Sequence, residues 1–502
     1  MAHKPDGLFE YILIHYRWVF VCLFLLPASF LFDIWLYFRN WIVFKLSSAP
    51  KQHNSKVKHV QEQVRKWAKK GKKQFICTAR PGWQTVSFRR PKYKKTMYNI
   101  DVNLVDVLDI DLDKKTVRVE PLVTMGQLTA TLNPLGWTIP VVPELDDLTV
   151  GGLVMGTGIE SSSHQYGLFQ HICTSYELVL SDGIVVTCSS EENSDLFYSV
   201  PWSYGTLGIL TAVEIRLIPA KKYVKLTYKP VRQLEKITQE TELASKNLEN
   251  EFVETLVYGK DDAVVMTGVQ TDDVDNRKVN AIGKWYKPWF FKHVEASLKK
   301  NKTVVEYVPL RDYYHRHTRS IFWELQDIIP FGNNVVFRYL FGWVVPPKVS
   351  LLKLTQTDAI KKLYENNHVI QDMLVPIETL KTSIEKFHET MEIYPMWVCP
   401  FKLFANPGMV HPAKNTAAVY VDIGVYGVPK ATNFSAIEAT RKIEKFVIDA
   451  NGFQMLYADT YMSREEFRRM FDHSLYDEMR TRLGCKEAFA EVYDKVNRTA
   501  RD

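Results

Sequence analysis

Hydrophobic positions along this chain recur with two different periods, and the order in which the periods change predicts the layout. Ile100, Val102 and Leu104 alternate, followed by Leu108, Ile110 and Leu112, then by Val117 and Val119 beyond an Asp113-Lys114-Lys115 turn. That is the period of half-buried strands. Leu128, Leu132 and Leu135 then fall on one helix face, and YELVLSDGIVVTC (176–188) reads as a hairpin turning at Asp182-Gly183. Further on, residues 223–231 and 252–259 read as strands flanking a helical run. Residues 369–377, 393–401 and 417–427 read as strands alternating with helical patterns such as 384–391. The interleaving predicts an α+β fold, a mixed sheet with helices on one face. Ser463-Arg464-Glu465-Glu466 reads as a capping box that opens a mostly helical C-terminal part, with Phe467, Met470 and Phe471 on one face.

The N-terminal pattern is different. Trp18 to Phe32 carries no charge, and the apolar pattern resumes after Asp33 and runs to Phe44. The uncharged core of fifteen residues rises only about 22 Å as a helix, short of a ~30 Å hydrocarbon slab. Extension through Ile34 to Tyr37 suffices if Asp33 reaches the interface, and Pro27 kinks such a helix without abolishing it. Trp18, Trp35, Tyr37 and Trp41 sit near the ends, as interfacial aromatics do. The expectation is one membrane-spanning helix, with a hairpin or in-plane anchor as the alternative.

Charge adds an orientation. From Lys45 to Lys73 ten basic residues face one acid, Glu62, so that 10 − 1 = +9, more than the +7 of the whole chain. The basic excess therefore hugs the membrane on the C-terminal side of the apolar stretch, which the positive-inside rule places in the cytosol, against anionic headgroups. No nucleic-acid motif accompanies it, so nucleic acid is not the expected partner. Val57, Val60, Val64 and Trp67 also give this segment a face for packing.

A chain of 502 residues suits two or three domains. The expected division is an anchor over 1–50, a nucleotide-binding domain over 51–219, a cap or substrate domain over 220–450 and a helical return over 451–502, with Ile218-Pro219-Ala220 at the first boundary. Six scattered cysteines without CxxC spacing argue against a disulfide framework and against a zinc site, so no metal is expected and the body belongs in a reducing compartment.

The segment with the most chemistry is Thr149 to Gly167, TVGGLVMGTGIESSSHQYG, with five glycines and five Ser/Thr residues. Glycine lacks a Cβ, so main-chain N–H groups there can lie against a large polar cofactor. Gly156-Thr157-Gly158 fails as a dinucleotide fingerprint because Ser161 stands where a third glycine belongs. A glycine-rich surface loop is the plainer alternative. With the flanking strands, with Asp195-Leu196-Phe197 and with Gly205 to Leu210, the order of elements resembles the FAD-binding domain of the vanillyl-alcohol oxidase and p-cresol methylhydroxylase superfamily. The wording EPLVTMGQ (120–127), PELDDLTVGG (143–152), GIESSSHQYGLFQHIC (158–173), AKKYVKL (220–226), RHTRSIFWELQDIIPFGNN (316–334), GFQMLYAD (452–459) and EVYDK (491–495) is similar to the Diminuto-like family of sterol side-chain reductases.

That resemblance implies a two-subdomain FAD-binding domain of the p-cresol methylhydroxylase type, an α+β cap and an N-terminal membrane helix. It implies that FAD is lined by Thr149, Val150, Gly151, Gly152, Leu153, Val154, Met155, Gly156, Thr157, Gly158, Ile159, Glu160 and Ser161. Arg80 and Gly82 fall near the pyrophosphate, and Gly205, Thr206, Leu207 and Gly208 near the adenine end. The superfamily's Arg-Gly-Gly-Gly-His loop is replaced by TARPGWQTVS (78–87), which implies non-covalent FAD. The implied reaction is NADPH-driven reduction of a sterol C24=C25 double bond, of the desmosterol-to-cholesterol type, at the endoplasmic reticulum membrane with the body in the cytosol. A homo-oligomer, or association with other sterol-pathway enzymes, would suit such a setting.

An isolated alkene has no carbonyl to accept hydride by conjugate addition. A proton added at C24 develops positive charge at C25, which then accepts hydride from the reduced flavin N5, so the protein must supply an acid and exclude water. The candidate acids are Tyr457 in MLYAD, Glu324 in FWEL, and His315 or His317 in YYHRH. A carboxyl in an aromatic pocket has its pKa raised by desolvation, which favours Glu324; core packing, pairing with Arg316 or Arg319, and flavin contacts are the competing roles. The aromatic run over 285–345 fits either a core, a sterol tunnel or a surface that dips into lipid. Two other functions stay open: an FAD-dependent oxidase or dehydrogenase of an alcohol or lactone, and a membrane-tethered sterol-binding scaffold.

Overall fold

A computed structural model describes residues 11, 16–46, 48–79, 91–352, 367–431 and 434–500. Arg80 and Gly82 lie outside these residues. A long apolar helix, α1 (Arg17–Lys45), contains one π-turn over Val21–Leu25. The basic segment forms α2 (Ala49–Lys69), whose buried stripe is Ala49, His53, Val57, Val60, Val64 and Trp67. The packed face read from the sequence is therefore real; Lys51, Lys58, Lys66 and Lys69 occupy the exposed side, whereas Lys56 turns inward to pair with Asp106 and Glu120.

Strands β1 (Ile76–Ala79) and β2 (Tyr98–Asp101) pair in parallel. A five-stranded antiparallel sheet follows, in the order β3 (Val107–Asp111), β4 (Thr116–Val119), β8 (Ile209–Arg216), β6 (Cys173–Val179), β7 (Val185–Ser189). The hairpin at Asp182-Gly183 joins β6 to β7, with Gly183 at φ +81°, a left-handed turn position that favours glycine. Helices α3 (Met125–Leu132) and α4 (Val150–Gly156) fall between β4 and β6. Leu128 and Leu132 are buried as expected, whereas Leu135 lies past the end of α3 and is exposed. Short strands β5 (Trp137–Thr138) and β9 (Ile218–Pro219) pair with each other.

The second half forms an eight-stranded antiparallel sheet in the order β13 (Val304–Pro309), β10 (Tyr223–Arg232), β12 (Asp262–Thr271), β11 (Phe252–Gly259), β15 (Met396–Leu403), β16 (Ala418–Gly427), β14 (Val369–Pro376), β17 (Phe453–Gln454). Helices α5 (Leu234–Lys246), α9 (Leu380–Thr390) and α10 (Ala436–Asp449) cover one face through Ile237, Ile384, Phe387, Ile443 and Val447, packed on Val265, Val398, Met373 and Ile423. Helix α6 (Phe290–Lys300) lies on the opposite face, where Phe290 meets Tyr228 and the Tyr258 hydroxyl donates to the Phe291 carbonyl. Helices thus sit on both faces, not one. The sheet also takes β17 from beyond residue 450. Helices α7 (Leu310–Tyr314) and α8 (Val335–Phe341) follow α6, and α11 (Ser474–Arg482) belongs to the C-terminal return. The Ser463 capping box is present in full, with Phe467 and Phe471 buried beneath it.

Candidate functional site at the junction of the two sheets

The glycine-rich segment begins as a helix rather than an open loop. Thr149 caps α4, its Oγ1 accepting from Gly152 N–H at 3.3 Å. Val150, Leu153, Val154 and Ile159 point into the core. A Cβ at Gly151 would lie 2.7 Å from Pro121 Cβ, and one at Gly158 2.6 Å from Leu153 Cδ2, so these two glycines permit close packing of the segment on its own domain. Gly152 and Gly205 differ: a Cβ would meet only Thr149 Oγ1 at 3.0 Å in the first case and nothing within 3.9 Å in the second. The helix stops at Thr157, whose φ of +72° forces the chain to turn out; its Oγ1 is held by Gln170 Oε1 at 2.8 Å. Non-glycine residues rarely adopt that backbone, and the cost is about 1–3 kcal/mol.

Residues from the two implied cofactor stretches meet. Met155 Sδ accepts from Gly205 N–H at 3.2 Å, and a Cβ at Gly156 would sit 3.1 Å from the Tyr204 hydroxyl. The stretch Gly205 to Gly208 is clamped by the C-terminal return. Tyr476 hydroxyl lies 2.6 Å from Thr206 Oγ1, and buried Arg480 donates to the carbonyls of Thr206, Phe489 and Ala490. Leu207 is buried, and Gly208 passes close to the Val179 carbonyl. Nothing in the sequence of the return marks Arg480 for this role, because its partners are backbone oxygens remote along the chain.

Beyond Thr157 the segment enters a buried ionic network that joins the two halves of the molecule. Arg316 Nη2 donates to Glu160 Oε1 and its Nε to Glu254 Oε1 on β11, both at 2.7 Å, while its guanidinium lies 4.4 Å from the centre of the Tyr313 ring. Ser161 Oγ bonds Glu160 Oε1 at 2.6 Å and lies 2.9 Å from the Tyr313 hydroxyl; the Ser161 carbonyl accepts from Val253 N–H. Trp397 Nε1 on β15 donates to Glu254 Oε2 at 2.9 Å, and His317 Nε2 lies 3.4 Å from the same oxygen. Burial alone would raise the Glu254 carboxyl, but Arg316 and His317 outweigh it and hold its pKa below the ordinary range.

Two further carboxyls occupy the same face of the large sheet. Asp422 on β16 stands opposite Cys399 in register, 1% exposed, with neither side-chain oxygen hydrogen-bonded. Its neighbour Asp372 on β14 accepts from the Tyr426 hydroxyl at 2.5 Å through Oδ1 and leaves Oδ2 unbonded. Gly424 makes room for that pair: a Cβ there would lie 2.7 Å from Asp372 Oδ1. Burial pushes Asp372 up to about 7, against the smaller lowering effect of Tyr426. Burial, then repulsion from Asp372 and Glu144, pushes Asp422 far above the carboxylate range. Glu144, in the segment leading to α4, is raised for the same reasons, by burial and by Glu160. Asp422 faces the junction, and burial together with the neighbouring carboxyls favours its neutral form.

The residues singled out from the sequence scatter. His315 is buried with its Nε2 2.7 Å from Thr129 Oγ1 on α3, and burial lowers its pKa. His317 stacks on Phe322 within the network. Glu324 does not pair with Arg316 or Arg319; its Oε2 meets His368 Nε2 at 3.0 Å. Arg319 instead donates to the carbonyls of Ile282, Lys284 and Trp285. Tyr457 is 39% exposed. The sequence reading missed Glu254, Asp372 and Asp422. A signal was present for the last two, an acid inside the otherwise apolar strands VIQDMLVPI and AAVYVDIGVYG. Among the described residues no group of three His, Cys, Asp or Glu side chains forms a metal site.

The donor set fits a flavin. An isoalloxazine carries a ring N–H that needs an acceptor, and the junction holds buried carboxyl oxygens on Glu144, Glu160 and Asp422 with no other hydrogen bond among the described residues, while Gly205 leaves open space at the second cofactor stretch. A family model described as an FAD binding domain matches residues 55–189. The chain is 63% identical to Delta(24)-sterol reductase of Rattus norvegicus over 98% of its own length and 95% of the relative's. Identity to the Delta(24)-sterol reductase homolog dhcr-24 of Caenorhabditis elegans is 50% over 98% and 96% of the two chains. With Delta(24)-sterol reductase of Arabidopsis thaliana it is 41% over 96% and 91%. With one pattern running end to end through animal and plant relatives, the chain belongs to the Delta(24)-sterol reductase family.

Proposed function

We propose that this protein is an FAD-dependent oxidoreductase that uses NADPH to reduce the C24=C25 double bond of a sterol side chain. End-to-end identity to the sterol reductases carries the reading, and the match to an FAD-binding domain supports it. The fold we assign is the two-subdomain FAD-binding type with a cap, FAD held non-covalently against the stretches 149–161 and 205–208 and against Arg80 and Gly82. We place the protein at the endoplasmic reticulum membrane with its body in the cytosol, where the exposed lysines of the stretch from Lys45 to Lys73 can meet anionic headgroups.

Bound FAD supplies the hydride that C25 of the sterol receives. The chain's own residues do the rest. Asp422 gives its proton to C24, a role suited to a carboxyl kept neutral by burial. Burial first, and the carboxyl of Asp372 beside it second, favour the neutral form of Asp422, while Tyr426 fixes Asp372 in place. Trp397, Cys399, Phe401 and Tyr426 line the same sheet face and exclude water from the cation at C25. The Arg316 network fixes the cap face against the segment that leads out of α4.

The test is anaerobic mixing. Purified protein in detergent should be yellow, bleach with NADPH, and regain colour when desmosterol is added. Bleaching by an alcohol or lactone and not by NADPH would replace this reading with the oxidase one. A colourless protein that binds sterol would replace it with the scaffold.

A further inference from the structure

The apolar helix α1 is bound to the body of the protein along its entire length. Starting at its first turn, Arg17 Nη2 donates to the Leu352 carbonyl at 3.2 Å and the Trp18 ring packs edge-on against Phe331. In the middle, Ser29 Oγ accepts from Lys348 N–H, Phe30 meets Trp343, and Asp33 pairs with Lys348, which also holds Asp147 beside the glycine-rich segment. Toward the end, Arg39 makes two bonds to Asp106, at 2.6 and 3.2 Å, and Val43 packs on Ala49, Leu108 and Ala212. Arg17 to Val43 is 26 helical steps, about 39 Å, which exceeds the ~30 Å hydrocarbon slab. A helix crossing the bilayer would have to shed its middle contacts, those of Ser29, Phe30 and Asp33, or carry Lys348 and Asp147 into the hydrocarbon.

The side of α1 turned away from the body is exposed and apolar: Leu23, Leu31, Trp35 and Phe38 are each more than half exposed. Its neighbour α8 shows the same. Val336 is 66% and Leu340 59% exposed, although the chain around α8 is fastened to α1 through Phe331, Trp343 and Lys348. Earlier in the same aromatic run, Trp289, Phe290, Phe291, Tyr313 and Trp323 are buried. Core packing accounts for that part of the run and leaves α8 unexplained.

We propose that this protein is monotopic: α1 lies in the plane of one leaflet, flat on the body, and α8 inserts beside it as a second membrane contact. A lipid leaflet is the occupant that fits, because the exposed surface is built on the most apolar helix of the chain, carries tryptophans and tyrosines suited to the interface, and is too extensive for a water-facing surface. The inference stands on α1 and α8 alone and does not depend on the reaction.

Two measurements on the full chain test it. A glycan acceptor sequence is added ahead of Met1 and the chain is translated into sealed microsomes. An in-plane helix leaves the acceptor unmodified and open to added protease; a spanning helix puts it in the lumen, glycosylated and protected, and that result overturns the proposal. In the second, a polarity-sensitive dye is attached through Val336→Cys in a Cys22→Ala background, since the other five cysteines are buried. After reconstitution into phosphatidylcholine vesicles containing acyl-chain nitroxide lipid, at least twofold quenching is expected. The same dye through Leu248→Cys, 71% exposed at the end of α5, should be quenched little. Equal quenching at the two positions, or none at 336, overturns the role of α8.

Discussion

The two faces of the large sheet are made by alternate residues of the same strands, yet they differ in kind. On β16, Val421, Ile423 and Val425 pack beneath α5, α9 and α10 on a mostly apolar face, while Asp422, Gly424 and Tyr426 look the other way into the junction. On β14, Met373 and Val375 face the helices and Asp372 the junction. One face is held by apolar burial, worth about 25 cal/mol per Å². The other retains carboxyls whose burial is unfavourable for folding, and such groups persist where chemistry uses them. The contrast separates what stabilises this sheet from what works on it.

Breaking the ionic junction should have the largest effect on stability. Arg316→Met strands Glu160 and Glu254 without their arginine, and loss of one partner from a buried pair costs about 3–5 kcal/mol; in a chain of this length that lowers the thermal midpoint, read by flavin release, by about 3–5 °C. Next comes the apolar face: Ile423→Ala should cost about 2–5 kcal/mol and lower Tm, while turnover per bound flavin stays near wild type. Matching losses of turnover and stability there would erase the distinction between the faces.

Gly424→Ala is smaller in size and sharper in meaning. Its Cβ would sit against Asp372 Oδ1, and overpacking of this kind costs about 1–3 kcal/mol. It should lower turnover more than stability, measured as kcat beside Tm, because it pushes Tyr426 off Asp372. The smallest effect is in pH dependence. Asp372 titrates near 7 in the folded protein against about 3.8 unfolded, so folding takes up a proton between those values and stability contributed by this group falls as pH rises from about 4 to 7. Asp372→Asn removes that slope: Tm of the variant relative to wild type should rise between pH 5 and pH 7.5. Glu444, also raised to about 7 by burial, gives wild type and variant the same slope and cancels in the difference. An unchanged difference would mean that Asp372 stays ionised.

Most strands were legible because period-two alternation survives on a sheet with one apolar face and one mixed face. Thus 223–231 and 417–427 coincide within a residue or two with β10 and β16. Helix α4 was not legible, since VGGLVMG offers two poor helix formers in a row and owes its helix to the Thr149 cap and to Val150, Leu153 and Val154 in the core. The glycines announced a close approach without saying to what: Gly151 and Gly158 turn out to face Pro121, Leu153 and Pro143. The acids were visible one at a time, but no spacing rule links Glu160, Glu254 and Arg316, or Asp372 and Asp422. Only β pairing and the crossing of the chain from 160 to 316 bring them together. In α1, hydropathy gave the right helix, while the contacts of Ser29, Asp33 and Arg39 that lay it on the body depend on partners up to 319 residues away.

The most direct test of the account is a rapid-mixing experiment on Asp422→Asn. NADPH should bleach the flavin of the variant at the wild-type rate, since Asp422 has no part in that half-reaction, whereas recovery of colour on adding desmosterol without oxygen should slow by about 10²–10⁴-fold, as expected for loss of a general acid. Recovery at the wild-type rate would show that the proton comes from elsewhere and that the acidic face of the sheet has another purpose.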